Sequence, residues 1–530
     1  MNSGLFLSRL ERLAKLPGAS LKGLIGLEKE SLRVTTAGWI AKTPHPQALG
    51  STLTHPHITT DYSEALLEFI TPPYADGLAT LAFLDEIHRF VYLHLDPHEV
   101  LLATSMPIGF AHDEDIPIAC YGESNIGRMK HVYRVGLSYR YGRAMQAIAG
   151  IHYNYSVAEG LWPILREILK DDRPQQEFKS AVYFDLIRNL KRYGWLLLYL
   201  FGASPVVNRV FLECRGGIPE RFIQLAPDTY GLPYATSLRM SDIGYKNPTQ
   251  AKLHISCNTL EEYAAGLCHA IETPYPPYQA IGVKVNGDYR QLNANLLQIE
   301  NEYYSIVRPK QPAEYGERPT LALRRRGVRY IEVRALDLNP YEPLGIDHHE
   351  VYFLEAFLLH CLLQDSPPQT LAESQAIQAN LLATAQRGRD PELTLIRQGC
   401  AVPLRQWAAE IFAALSPLCQ LLDDSLPARP YQTSLEFYRE RVLNPDSTPS
   451  ARILAQLRAS GESFASFALK KSLEHADYFR HRPLLGERLA WFERISRQSI
   501  QEQQRIEAED KLGFDEFLEN YFSQTCQNEK

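Results

Sequence analysis

The chain is 530 residues long, with 45% hydrophobic residues, 22% charged residues and a net charge of −7. This is the composition of a globular protein with a large core, and acidic and basic residues are mixed along the chain, so we expect no nucleic-acid or membrane partner. An anionic substrate stays possible, provided that metal ions and a few arginines form its site locally.

Short predicted strands are interspersed with predicted helices along the first two thirds of the chain. The apolar patterns predict strands over Leu24–Val34, Ala65–Thr71, Ala149–Ser156, Tyr289–Leu292 and Tyr330–Leu336. They predict helices over Leu78–Leu95, Gln175–Leu200, Leu260–Ile271 and His348–Leu363. Strands rarely alternate one for one with helices, and no Gly-rich strand-to-helix turn occurs, so the patterns favour an α+β fold over a doubly wound parallel sheet.

From about Pro367 onward, helical patterns dominate the sequence. They cover Leu371–Arg387, Leu404–Leu421, Ser450–Leu473 and Glu487–Glu507. We therefore divide the chain into an α+β catalytic body, residues 1–366, and a mainly helical C-terminal region, residues 367–530, packed on that body. We expect the protein to be a monomer.

The cysteines and the N-terminus indicate a cytoplasmic protein. The eight cysteines are scattered and form no CxxC pair, which is typical of reduced thiols. Phe6, Leu10 and Leu13 recur at helical spacing between charged residues, unlike the unbroken apolar run of a secretory signal. The most apolar stretch, Trp195–Val207, is shorter than the about 18 residues that span a bilayer.

Two segments early in the chain carry acidic residues on predicted strands. In Leu27–Val34, Glu28 and Glu30 project from the same face. Adjacent carboxylates repel unless a cation lies between them, so the pair is a candidate metal site; a solvated charge run on an edge strand is the alternative. In the second segment, Asp61 precedes an apolar strand that Glu68 interrupts. A buried Glu68 must be paired, hydrogen-bonded or metal-bound, and the alternative is a Glu68 that faces water.

Two later segments add a histidine and a carboxylate–guanidinium pair. On the strand Gly150–Tyr155, His152 and Asn154 share one face, and the alternative to a ligand is a structural histidine. Further on, strict alternation puts Glu332 and Arg334 on one face of a strand. They form either a plain cross-sheet ion pair or a metal ligand beside a phosphate clamp.

Five acids and one histidine thus lie on four strand-like segments: Glu28, Glu30, Asp61, Glu68, Glu332 and His152. If these strands share a sheet, the acids converge on one face, and so many like charges share a face only around cations. Mg²⁺ prefers such oxygen ligands and leaves positions for substrate phosphates, while a single imidazole would also suit Mn²⁺. This pattern is typical of phosphoryl transfer without a P-loop.

Nine motifs spread over nearly the whole chain carry a resemblance to a known family. They are Gly26–Val34, His45–Ser51, Ile58–Pro72, Tyr121–Arg128, Tyr199–Pro205, Leu232–Arg239, Leu297–Glu302, Ile331–Arg334 and Pro449–Leu454. The chain resembles the proteobacterial type of glutamate–cysteine ligase, also called γ-glutamylcysteine synthetase. The resemblance implies a funnel-like, mostly antiparallel catalytic sheet of the glutamine synthetase (carboxylate–amine ligase) type, with surrounding helices.

The resemblance also implies roles for particular residues. The implied metal ligands are Glu28, Glu30, Asp61, Glu68, His152 and Glu332. Arg334 would contact the transferring phosphoryl group of ATP, and Arg239 would hold a substrate carboxylate. The implied pocket for the cysteine side chain is lined by Tyr62, Tyr133, Leu137, Gln146, Tyr245 and Tyr304. The family usually carries Gly-Gly shortly before the strand Ile331–Arg334, whereas this chain has Arg326-Gly327, which bears on the local loop and the nucleotide contacts.

The implied reaction is the first step of glutathione biosynthesis. ATP activates the γ-carboxylate of L-glutamate as a γ-glutamyl phosphate, which the amine of L-cysteine then attacks, with Glu332 and Arg334 as catalytic residues. One alternative is a related carboxylate–amine ligase that uses a different amine; it would carry the same acids, and only the tyrosines of the pocket favour cysteine. The other is a non-catalytic metal- or nucleotide-binding protein, which would release no phosphate.

Overall fold

A seven-stranded antiparallel sheet lies at the centre of the protein. The computed structural model describes residues 3–15, 21–245, 250, 253–424 and 426–524. Its strands are β1 (Leu24–Thr35), β2 (Ile58–Thr60), β3 (Leu66–Ile70), β4 (Glu99–Leu101), β5 (Ile151–Ser156), β6 (Val206–Asn208), β7 (Ile223–Ala226), β8 (Thr229–Gly231), β9 (Lys284–Val285), β10 (Asp288–Tyr289), β11 (Val307–Lys310), β12 (Tyr330–Leu336), β13 (Thr394–Arg397) and β14 (Cys400–Pro403). The central sheet has the order β11-β12-β5-β1-β3-β2, with β4 paired to the end of β1.

The register of the central sheet brings the acidic segments together. On β1, Glu28 lies opposite His152 of β5, and Glu30 lies opposite Glu68 of β3. Residues of β1 that alternate with these acids, such as Leu27, are fully buried on the core side. Because side chains alternate along a strand, the same pattern that buries the apolar residues directs the acids to the opposite face.

Helices surround the sheet. Before residue 367 they are Ser3–Leu13, Gly77–His94, Asn125–Tyr141, Arg143–Gln146, Trp162–Leu169, Gln175–Tyr193, Trp195–Phe201, Arg209–Cys214, Leu260–Glu272, Pro276–Ile281, Pro319–Arg326 and His348–Leu363. After it they are Leu371–Arg387, Leu404–Asp423, Pro430–Leu443, Pro449–Ser460, Phe464–Arg480, Gly486–Glu509 and Phe514–Ser523. The predicted α+β class is therefore confirmed.

Three predicted elements differ from the observed ones. The helix predicted over Gln175–Leu200 ends at Tyr193, and a second helix begins at Trp195, after Gly194, where a Cβ would meet Ile306 at 2.5 Å. The helix predicted over Ser450–Leu473 is likewise two helices, since Gly461 ends the first with φ of 68°. The strand predicted over Tyr289–Leu292 is wrong beyond its first residue, as β10 ends at Tyr289.

The C-terminal region is mainly helical, and within the described residues the structure adds the helices Pro430–Leu443 and Phe514–Ser523 and the hairpin of β13 and β14 to the predicted pattern. It packs on the preceding residues through buried contacts, such as the hydrogen bond from the Tyr431 hydroxyl to Glu355 Oε2 at 2.6 Å. One hydrophobic core runs through both parts, from Phe6 to Phe492. The boundary between residues 366 and 367 stays a prediction.

The expectation of reduced thiols is correct for six cysteines and wrong for Cys268, which is disulfide-bonded. Cys526 lies outside the described residues. In the described ranges, every helix is too short or too polar to cross a lipid bilayer.

Candidate active site

The acids and His152 meet on one face of the central sheet, which we call the carboxylate face and define by Glu28, Glu30, Asp61, Glu68, His152 and Glu332. His152 Nδ1 lies 3.0 Å from Glu28 Oε2 and 3.8 Å from Glu332 Oε1. His152 Nε2 lies 3.7 Å from Glu30 Oε1. Three of the four strand-like segments therefore converge on one imidazole, as the sequence predicts.

Asp61 and Glu68 belong to the same cluster by their electrostatic effect. Burial, together with the negative charges of Glu28, Asp61 and Glu30, raises the pKa of Glu68 well above its usual range. Burial also raises the pKa of Glu30, and the negative charge of Asp61 raises that pKa further. Glu68 lies directly opposite Glu30 in the sheet, which places the remaining acidic segment on the carboxylate face too.

Basic residues stand on the side of the cluster formed by β11 and β12. Arg334 Nη1 lies 3.1 Å from Glu332 Oε2, and Lys310 Nζ lies 3.3 Å from Glu332 Oε1. Burial would raise the pKa of Glu332, but attraction to Lys310, Arg334 and His152 holds that pKa well below its usual range. Glu332 thus stays ionised between the basic residues Lys310 and Arg334 and the other acids of the carboxylate face.

Lys310 and Arg308 were not predicted from the sequence. Both lie on β11, where Arg308 is directly opposite Glu332. Proline is tolerated on an edge strand, and Pro309 separates the two basic residues on this one. The alternation Arg-Pro-Lys was the signal that could have identified them, because it places two cations on one face of a four-residue strand.

The donor set of the carboxylate face fits a divalent cation. One atom each from Glu28, His152 and Glu332 lie within 4.8 Å of one another. Within the described part of the chain, the buried Asn154 Oδ1 has no hydrogen-bond partner, and Glu332 Oε2 has the ion pair with Arg334 but no hydrogen bond. Oxygens with a single imidazole form a ligand set for Mg²⁺ or Mn²⁺.

Arg239 lies beside this face in a buried position. Its Nη2 donates to the carbonyl of Arg334 at 3.0 Å, and its Nη1 lies 3.6 Å from Asp337 Oδ1. A Cβ on Gly150 would meet the Arg239 guanidinium at 2.0 Å, so only glycine fits there. Arg239 and Arg334 both line a cavity of about 700 Å³ that also reaches Tyr245 and Tyr304.

We call the residues predicted to contact the cysteine side chain the thiol pocket, namely Tyr62, Tyr133, Leu137, Gln146, Tyr245 and Tyr304. Tyr245 and Tyr304 stack with ring centroids 5.4 Å apart, and Gln146 Nε2 donates to the Tyr304 hydroxyl at 3.0 Å. Tyr133 and Leu137 lie on the helix Asn125–Tyr141. Tyr62 and Leu137 are buried, with 1% and 4% of their surface exposed.

Arg326 fits its position at a helix end. It is the last residue of the helix Pro319–Arg326, and it forms an ion pair with Glu317. Gly327 follows with φ of 72°, a positive value that favours glycine. A single glycine therefore suffices for the turn before β12.

The chain is similar to known proteins of one enzyme family. Residues 11–384 match the family model described as glutamate-cysteine ligase. A glutamate–cysteine ligase from Azotobacter vinelandii is 50% identical over 524 residues, which cover 98% of each chain. The crystal structure of the glutamate–cysteine ligase of Francisella tularensis in complex with AMP is 37% identical with a TM-score of 0.90, covering 96% of this chain and 99% of that one.

A bifunctional glutathione synthetase from Pasteurella multocida shares the fold, with a TM-score of 0.68 at 24% identity over 92% of this chain and 57% of that chain. The family match and the shared fold place the chain in the carboxylate–amine ligase class. Within that class, the chain belongs to the glutamate–cysteine ligase family.

Proposed function

We propose that the protein joins the γ-carboxylate of L-glutamate to the amine of L-cysteine, with ATP as co-substrate, in the first step of glutathione biosynthesis. The observation that carries the proposal is the convergence of five acids, one histidine and Arg334 on one face of the sheet. The relatives named glutamate–cysteine ligase and the AMP bound to the Francisella tularensis enzyme support the substrates.

The chemistry needs activation because a carboxylate is a poor electrophile. Transfer of the γ-phosphoryl group of ATP to the glutamate carboxylate would give an acyl phosphate, with ADP as the leaving group. Attack by the cysteine amine then expels phosphate and forms the amide. Such a reaction asks the protein for positioning and charge neutralisation more than for covalent chemistry.

The carboxylate face would hold Mg²⁺, or Mn²⁺, through Glu28, Glu30, Asp61, Glu68, His152 and Glu332. A divalent ion bound there supplies positive charge for the phosphate oxygens. Glu332 would stay ionised as a ligand because its pKa is held low by Lys310, Arg334 and His152 despite burial. Arg334 would stabilise the charge on the transferring group, an interaction that is strongest in the transition state.

The cavity beside the carboxylate face would hold the amino acids. Arg239 would bind a substrate carboxylate, since its guanidinium lines the cavity and is fixed by the Arg334 carbonyl. The thiol pocket would take the cysteine side chain, because aromatic rings favour polarisable sulfur and the Tyr304 hydroxyl offers a polar contact. We also propose that the protein is a cytoplasmic monomer.

The test is a phosphate-release assay with ATP, Mg²⁺ and glutamate, in which cysteine is compared with 2-aminobutyrate, alanine and glycine. Cysteine should give the highest kcat/KM, and 2-aminobutyrate should be accepted about 10-fold to 100-fold less well, since a pocket separates methyl from thiol only weakly. A higher kcat/KM for another amine would instead support a related ligase with a different acceptor, and no release with any amine would contradict a ligase.

A further inference from the structure

Glu302 is a buried acid behind the thiol pocket. Its side chain is fully buried, as is that of its ion-pair partner Arg140, whose Nη1 lies 2.9 Å from Glu302 Oε1. The same oxygen accepts a hydrogen bond from the Tyr141 hydroxyl at 2.6 Å, and Oε2 accepts one from the backbone N–H of Gln298 at 2.7 Å. The carboxylate is thus fully paired by protein groups.

These contacts join two separate parts of the thiol pocket. Arg140 and Tyr141 end the helix Asn125–Tyr141, which carries Tyr133 and Leu137. Glu302 itself lies two residues before Tyr304 on the other wall. The side chain therefore connects the two walls over 161 residues of sequence.

The backbone around Glu302 extends the connection to Tyr304. The Glu302 carbonyl accepts a hydrogen bond from Gln250 Nε2 at 2.7 Å, and Gln250 Oε1 accepts one from the Tyr304 N–H at 2.9 Å. On the other side, Gln298 Nε2 donates to the Tyr133 carbonyl at 3.2 Å. Both pocket tyrosines are therefore one or two hydrogen bonds away from the Glu302 segment.

We propose that Glu302 is a positioning residue that sets the spacing of the thiol pocket and thereby the affinity for the acceptor amino acid. The inference rests on the proposed function, because it assigns the acceptor side chain to this pocket. Glu302 lines neither the carboxylate face nor the 700 Å³ cavity as the structure describes them. Its loss should consequently change acceptor binding and leave the ATP and glutamate sites in place.

Glu300 offers a matched control two residues away. It is also buried, at 5% exposed, and it pairs with Arg318 at 3.2 Å and with the Thr320 hydroxyl at 2.6 Å. Its partners belong to the helix Pro319–Arg326 and its N-cap, which carry no residue of the thiol pocket. Glu300→Gln and Glu302→Gln therefore both leave a buried arginine without its anion, a change that destabilises folded proteins.

The experiment measures kcat and the KM for cysteine, glutamate and ATP in wild type, Glu302→Gln and Glu300→Gln, with Tm as the stability readout. Glu302→Gln should raise the KM for cysteine about 10-fold while the KM for glutamate and ATP changes less than about twofold. Glu300→Gln should lower Tm comparably and leave the KM for cysteine within about twofold of wild type.

Equal effects of the two variants on the KM for cysteine, or no effect of either, would overturn the positioning role. If Glu302→Gln does not fold, Tyr141→Phe replaces it, since this variant removes one hydrogen bond to Glu302 and keeps the ion pair. Tyr141→Phe should raise the KM for cysteine about threefold, and an unchanged KM would contradict the proposal. A wild type that does not use cysteine would contradict the proposed function itself, before any variant is compared.

Discussion

The carboxylate face and the Glu302 network are both buried and polar, but they balance their charge differently. Glu302 faces Arg140 and two further hydrogen-bond donors of the chain. Glu68 instead faces other acids, and burial with the charges of Glu28, Asp61 and Glu30 raises its pKa. Arg140 of the chain pairs with Glu302, whereas the surroundings of Glu68 are mainly acidic, as we expect for the proposed metal site.

The largest expected effect comes from removing the guanidinium of Arg334 beside the carboxylate face. Arg334→Ala should lower kcat about 10³-fold if, as proposed, the side chain stabilises charge that develops on the transferring phosphoryl group. The fold should persist, since Arg334 is partly exposed at 21%. The measurement is steady-state phosphate release at saturating ATP and Mg²⁺.

Arg329→Ala is the matched control, because Arg329 lies just before the same strand but is 59% exposed and pairs with Glu159. It should keep kcat within about twofold of wild type. A near-normal kcat in Arg334→Ala would remove Arg334 from the mechanism.

A buried acid with neutral partners provides a third case for the comparison. Burial raises the pKa of Glu355 from 4.5 to about 7, although Tyr431 donates a hydrogen bond to it. The folded state holds the carboxyl proton of Glu355 more tightly than the unfolded state does. The contribution of the protonated carboxyl group to stability is therefore complete below about pH 4.5 and is lost as the pH rises to about 7. Glu355→Gln should therefore reduce the fall in unfolding free energy between pH 5 and pH 8 by about 2–3 kcal/mol.

Denaturant unfolding at both pH values tests this prediction. Glu436→Gln serves as the control, since Glu436 is 57% exposed on the helix that also carries Tyr431. An unchanged pH slope in Glu355→Gln would show that the carboxyl group is ionised at neutral pH in spite of its burial.

The next effect sharpens the role of Arg239 beside the carboxylate face. Gly150→Ala should lower kcat/KM about 50-fold, because the new methyl group would occupy the position of the Arg239 guanidinium, 2.0 Å away. Gly160→Ala is the control, because no atom lies within 4 Å of a Cβ at that position. Equal kcat/KM values of the two variants would show that displacement of the Arg239 guanidinium does not affect the reaction.

The smallest effect concerns repulsion within the carboxylate face. In the absence of metal, Glu68→Gln should raise Tm by about 1–2 °C, because folding must either bury this carboxylate among like charges or protonate it, and an amide has neither cost. With Mg²⁺ and ATP the same variant should be less active than wild type. A lower Tm in EDTA would mean that Glu68 is already balanced by protein groups.

The sequence predicted the catalytic strands better than their surroundings. Strict alternation identified β12, and the paired acids of β1 marked the face of that strand opposite its apolar side. The convergence of Glu28 with His152 depended on pairing between residues 124 positions apart, which no local pattern determines. The prediction that these residues converge therefore held only if their strands paired in one sheet.

Other features were missed because their signals are weak or distant. Lys310 lies on a short edge strand with a proline, where period-two alternation spans too few residues to be recognised. Gly194 separates two helices and packs beside Ile306, which is distant in sequence. The thiol pocket came from family resemblance alone, and Glu302 acquires its role only through partners on a distant helix.

The most direct test of the account is the binding of Mn²⁺, followed by electron paramagnetic resonance, to wild type and to Glu28→Gln/Glu332→Gln. The account predicts that wild type binds the ion and that the double variant loses that binding while its circular dichroism spectrum stays unchanged. Equal Mn²⁺ binding by a folded double variant would contradict a metal site on this face of the sheet.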